Sequence, residues 1–121
     1  MIKKSSNVCN VQQAVLNMGN NPELFKKHFN KFKDSSGEIF DQLNHLVSDK
    51  HFSDTAVLCH SMKGLSSMLC FTTLQTHMSE AESFFKNIDS PQNMDKDTLD
   101  GIHTLISFIQ QDIQAICRLE I

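Results

Sequence analysis

The sequence predicts an all-α domain: an antiparallel up-down four-helix bundle preceded by a short N-terminal helix. Three observations carry that expectation. Apolar residues recur at helical spacing along four long segments, and strand-like alternation is scarce. The links between those segments are short, which favours antiparallel neighbours. Punctuation is sparse, with two prolines and four glycines in 121 residues. A chain of this length reads as one domain, residues 1–121, able to bury a core without covalent staples. Residues 1–9 precede the first helical signal and are expected to be flexible.

Asn10-Val11-Gln12-Gln13 offers an N-cap residue with a glutamine three later, and Val11, Val15, Leu16 and Met18 follow before Gly19. A short helix over 10–18 is expected, lying across the bundle as a lid. Asn21-Pro22-Glu23 is the clearest start in the chain: an Asn cap, Pro in the first helical position and an acid in the first turn. From there Phe25, Phe29, Phe32, Ile39 or Phe40, Leu43, Leu46 and Val47 trace one face to residue 48. Asp34-Ser35-Ser36-Gly37 is a weak patch, yet the apolar phase continues across it. One long helix with room for a kink is expected.

Ser48-Asp49-Lys50 is the turn before a helix over 52–70. In that helix Leu58, Met62, Leu65 and Leu69 follow at steps of four, three and four, a single apolar stripe expected to be buried. Thr72-Thr73-Leu74-Gln75 has the pattern of a capping box, so the next helix starts almost at once. Its stripe is Leu74, Met78, Ala81, Phe85 and Ile88. Residues 87–93, with Ser90-Pro91 inside, make the next break. A last helix covers 94–118, with Leu99, Ile102, Ile106, Ile109, Ile113 and Ile116 inward.

Composition excludes several classes. The net charge is −3 with both signs interspersed, so there is no basic face for nucleic acid. No run approaches transmembrane length, and Met1-Ile2-Lys3-Lys4 leads into polar Ser5-Ser6-Asn7 rather than an apolar leader core. A cytoplasmic protein with no direct membrane binding is expected. Cys9, Cys59, Cys70 and Cys117 are scattered singly, as reduced thiols at core or boundary positions are. Cys59 and His60 diverge by about 100° on a helix and cannot easily share one metal.

His60 stands apart from the other histidines. It lies roughly opposite the Leu58–Leu69 stripe, with Ala56, Lys63, Gly64 and Ser67 on its side. All are small except the one cation, so the imidazole is held out to water on a rigid rod. Gly64 costs a helix interior about 1 kcal/mol relative to Ala, and it sits one turn beyond His60 in the same column. The missing Cβ leaves room for close approach to the ring. Lys63 could meet an anion carried there; a phosphoryl group brings a charge of roughly −2. On the following helix Glu82 lies about 80° off the apolar stripe, where a side chain can reach a neighbouring helix. A carboxylate accepting from Nδ1–H would fix the tautomer and leave Nε2 as the nucleophile. His28, His45, His51, His77 and His103 have no comparable setting and read as surface or boundary residues.

His60-Ser61-Met62-Lys63-Gly64 resembles the His-x-x-Lys-Gly signature of histidine-containing phosphotransfer (HPt) domains. The likeness extends over residues 10–90, through Val15-Leu16-Asn17-Met18-Gly19-Asn20-Asn21-Pro22-Glu23-Leu24-Phe25, Leu74 and Met78-Ser79-Glu80-Ala81-Glu82. The resemblance implies a four-helix bundle in which His60 carries a phosphoryl group, Lys63 assists, Gly64 leaves space for the partner and Glu82 hydrogen-bonds the ring. It implies a module that accepts the group from a receiver-domain aspartate and passes it to another. The partners would be response-regulator receivers or a hybrid sensor kinase, docking around His60 with Ala56, Ser67 and Phe71 contributing. No cofactor is expected on this chain; Mg²⁺ would sit on the receiver. Nor is kinase or hydrolase activity expected, since a phosphoryl carrier is not a stand-alone enzyme.

One departure is plain: the family has a second glycine six residues after the first, where this chain has Cys70. That favours a second reading, a non-catalytic bundle that docks receivers and sequesters them. A His/Cys metal bundle ranks last, because it needs Glu-x-x-His pairs on facing helices and the sequence has none.

Overall fold

The computed structural model describes residues 8–120, and the described residues form five helices and no strand. They are α1 (Val11–Asn17), α2 (Pro22–Ser48), α3 (Phe52–Met68), α4 (Thr72–Lys86) and α5 (Lys96–Cys117). The long helices close a ring, α2 on α3, α3 on α4, α4 on α5 and α5 back on α2. Short connections make consecutive helices antiparallel. Of the expected flexible segment 1–9, residues 1–7 lie outside the described residues. Val8 and Cys9 are half-buried and pack against the core.

Three helices start on side-chain caps, two of them, Asn10 and Asn21, announced by the sequence. Asn10 accepts from the Gln13 N–H at 3.1 Å, Asn21 from Leu24 at 3.1 Å, and Asp95 from Thr98 at 2.7 Å. The capping box expected at Thr72 does not form. Phe71 is the N-cap there, and the Thr72 hydroxyl turns back to the Cys70 carbonyl at 3.4 Å. Through its weak patch α2 stays continuous, with the Ser35 and Ser36 hydroxyls returning to the carbonyls of Lys31 and Lys33.

Phe25, Phe29, Phe32 and Leu43 of α2 meet Leu74, Met78, Ala81 and Phe85 of α4 and the isoleucines of α5 in one core. Leu99, expected inward, is 40% exposed. The inward line Ile102, Ile109, Ile113 and Ile116 runs back through Thr98, which leaves Leu99 roughly a right angle to one side. His77 also departs from expectation, being fully buried. Its Nδ1 hydrogen-bonds the buried Asp112 carboxylate of α5, and its ring lies 4.9 Å from that of Phe108. A polar side chain satisfied across a helix pair can occupy a core position that its residue type alone does not announce.

The buried face of α3 runs through Phe52, Thr55, Ala56, Cys59, Met62 and Ser66. Met62 and Leu69 are buried as expected, but Leu58 and Leu65 are only half-buried. The face is thus rotated from the leucine stripe toward small residues. α3 makes its most extensive contact with α4, and close helix approach selects small side chains that an apolar count passes over.

α3 ends in a left-handed turn. Cys70 has φ +56°, the Phe71 N–H reaches the Ser66 carbonyl at 2.9 Å, and the Cys70 N–H reaches that of Ser67 at 3.2 Å. This is a Schellman motif with cysteine in the usual glycine place. It swings Phe71 into the core, 0% exposed, against the rings of Phe29 and Phe32. α1 closes over the same corner. The Asn10 N–H donates to the Cys70 carbonyl at 3.0 Å, Cys9 Sγ to Leu69 at 3.4 Å and Asn17 Nδ2 to Met68 at 3.4 Å.

Candidate functional site

The rotation of α3 puts His60 beside the α3–α4 seam rather than opposite the buried face. Its side chain is 66% exposed, and Nδ1 lies 3.0 Å from Glu82 Oε2 of α4. An ionised carboxylate only accepts, so Nδ1 carries the proton. Nε2 then bears the free lone pair and has no partner among the described residues.

Glu82 is the hub. Its side chain is only 9% exposed, and three donors converge on it. Lys63 Nζ of α3 donates to Oε1 at 2.8 Å, while His60 Nδ1 and Lys86 Nζ both reach Oε2 at 3.0 Å. The two ammonium groups, Lys63 first and Lys86 second, hold its carboxyl down at about 2, with the His60 ring adding to them and desolvation opposing. The carboxylate therefore stays ionised near neutral pH and keeps the ring oriented.

The other expected residues divide. Gly64 lies exposed on α3, and a Cβ there would meet nothing within 4 Å. Ser67 is likewise exposed. Ala56, expected on the open side, is buried at 2% and only floors a hollow beside the ring. That hollow, about 470 Å³, is lined by Ser53, Ala56, Val57, His60, Ser61, Glu82 and Lys86. Phe71, expected to help docking with exposed apolar atoms, cannot do so, because the turn at Cys70 sends it into the core. The exposed apolar side chain near the ring is instead Val57, 66% exposed and one turn before His60.

Lys86 was not legible as a site residue from the motif alone. Its signal is the glutamate-to-lysine spacing of four on one helix, which places the two side chains together. Behind the ring, Cys59 is fully buried and its thiol is pushed up to about 12, chiefly by burial and then by the Glu82 charge. A protonated thiol there is a packing group, not a nucleophile. Among the described residues no group of three His, Cys, Asp or Glu is placed to hold a metal ion, and no helix is long and apolar enough to cross a membrane.

An exposed imidazole, one nitrogen fixed by a carboxylate and the other free, with two ammonium groups on that carboxylate and open space over a glycine, can take up and surrender an anionic group. The family model described as Hpt domain matches residues 29–118. No curated protein and no solved structure matches the chain.

Proposed function

We propose, from a chain that belongs to the Hpt domain family, that His60 Nε2 is the phosphoryl carrier of this protein. The family places the chain among histidine phosphotransfer modules of phosphorelays. What remains is which atoms act and from where the group comes.

The observation that carries the reading is the Nδ1–H···Glu82 bond on a ring otherwise open to water. In the proposed step, Nε2 attacks the phosphorus of an aspartyl phosphate on a receiver domain. The bond between phosphorus and the carboxylate oxygen breaks, and the receiver's carboxylate leaves with the electron pair. The ring becomes cationic, with its Nδ1 proton held against Glu82. Charge spreads over the phosphoryl oxygens in such a transition state. Lys63 meets part of it, and Mg²⁺ held by the receiver would meet more. Gly64 and Ser67 leave the approach clear. Return to a second receiver aspartate is the same path reversed. The docking surface is the exposed α3 face around His60, with Val57 as its apolar contact.

The sequestering reading rested on Cys70. Its backbone takes the left-handed conformation that glycine adopts freely, and the helix-ending turn forms there with cysteine in place, which favours the carrier reading.

Incubation with phosphorylated receiver domains tests the proposal. Acid-labile phosphate is expected on the unmutated protein and absent from His60→Gln, with helical content retained. The ring faces water, so that substitution should cost less than about 0.5 kcal/mol. Binding to receivers without phosphohistidine in any case would favour the sequestering module.

A further inference from the structure

We infer that Lys86 is a positioning residue for the phosphorylated state: it stays as counter-ion to Glu82 so that Lys63 can leave the carboxylate for the phosphoryl oxygens. The inference rests on the phosphotransfer reading and adds a division of labour between the two lysines.

In the unphosphorylated protein Lys63 is committed. Its ammonium donates to Glu82 Oε1 at 2.8 Å, and its side chain is 32% exposed. A phosphoryl group on Nε2 would compete with the carboxylate for that ammonium and draw it away from Oε1. Were it the sole ammonium, its departure would leave a carboxylate nine-tenths buried with the ring Nδ1–H alone, on a ring whose positive charge also faces the phosphoryl group. Taking its ammonium from a buried carboxylate is costly, so a lone lysine would be held where it is.

Lys86 removes that conflict. It reaches Glu82 from the next turn of α4, on Oε2, the oxygen that Lys63 does not use. It approaches from the side of the hollow lined by Ala56 and Val57, whereas Lys63 lies one turn C-terminal to His60. The cations therefore flank the ring from opposite ends. With Lys86 in place, Glu82 keeps an ammonium and its hold on Nδ1–H while Lys63 moves. Lys86 is 64% exposed on its side chain, so its own contribution to stability is small and its removal leaves the fold alone.

A double-mutant cycle tests this. Phosphoramidate serves as a small phosphoryl donor: His60 Nε2 attacks phosphorus, the P–N bond breaks and ammonia leaves. The same cycle is run with a phosphorylated receiver domain. Lys63→Met and Lys86→Met are each expected to slow phosphohistidine formation by about fivefold, the scale of a partly screened charge contact. The double variant should be no slower than Lys63→Met, because Lys86 acts through Lys63. Lys86→Arg should restore the parent rate. Multiplying effects, or a parent rate in Lys86→Met, would overturn the inference while the phosphorylated parent leaves the phosphotransfer reading standing. A parent protein that accepts no phosphoryl group from either donor overturns both.

Discussion

His60 Nδ1 and Glu82 Oε2 lie 3.0 Å apart across the seam between two antiparallel helices, and that contact joins the reactive ring to a buried charge. Glu82→Gln keeps the shape but removes the charge, and it should slow phosphohistidine formation by about tenfold, as loss of an orienting partner on a functional imidazole does. Receiver binding should be unchanged. Stopped-flow transfer rates alongside titration calorimetry separate the two effects; weakened binding at a parent rate would contradict the orienting role.

The same carboxylate sets a pH dependence. Its folded value, about 2, lies below the ordinary 4.5, so its contribution to stability is complete above 4.5 and is lost as pH falls toward 2. Melting temperatures of the parent and Glu82→Gln, compared from pH 6 to pH 2, should converge over that interval. A constant gap would mean that the carboxylate is not ionised by its lysines.

Gly64 should behave as a clearance residue. A Cβ there meets nothing within 4 Å, so Gly64→Ala should gain up to about 1 kcal/mol from helix propensity. Gly64→Gln should fold equally well and block transfer from a receiver domain. It should still accept phosphate from phosphoramidate, a donor too small to be obstructed.

Cys70 carries a backbone conformation that suits glycine. At φ +56° an L-residue pays roughly 1 kcal/mol, offset in part by the Asn17 Nδ2 contact to its sulfur at 3.4 Å. Cys70→Gly should therefore be more stable by about 0.5 kcal/mol, and β-branched Cys70→Val less stable by more than 1 kcal/mol. Urea midpoints of the three proteins give the order directly.

Breaking the His77–Asp112 pair should be the most damaging of these changes. Both side chains are essentially inaccessible, and Asp112→Ala leaves the imidazole without its carboxylate. A loss of about 3 kcal/mol is expected from denaturant unfolding. A loss below about 1 kcal/mol would mean that the pair is not formed in solution.

The parts of this molecule announced by local chemistry were readable in the chain. Asn10, Asn21 with Pro22, and the polar Ser48-Asp49-Lys50 each mark a boundary through their own hydrogen-bonding or backbone preference, and the helices begin or end there. His60, Lys63 and Gly64 were legible because a fixed helical spacing puts them on one surface, and Glu82 because its angle leaves it at a boundary. What depends on a neighbouring helix was not. Thr55, Ala56 and Ser66 are buried on the face that α4 approaches closely, and nothing in their own polarity says so. His77 is buried because Asp112, thirty-five residues away, satisfies it. Phe71 looked available as an exposed residue beside the motif, and only the handedness of the Cys70 backbone turns it inward.

The contacts at the corner where α3 ends predict an order of folding events. The last four carbonyls of α3 all find donors: Leu65 from the Leu69 N–H, Ser66 from Phe71, Ser67 from Cys70, and Met68 from the Asn17 side chain. The first three are local and can form as soon as the corner does. The fourth, with the Asn10 and Cys9 contacts to Cys70 and Leu69, comes from the N-terminal segment, 51 to 60 residues away along the chain. The N-terminal helix can seat only on a corner already made, so it should be the last element to lock and the first to let go. Amide hydrogen exchange would register this as an Asn10 N–H that opens well below the global unfolding free energy, while the Phe71 N–H opens only with the bundle.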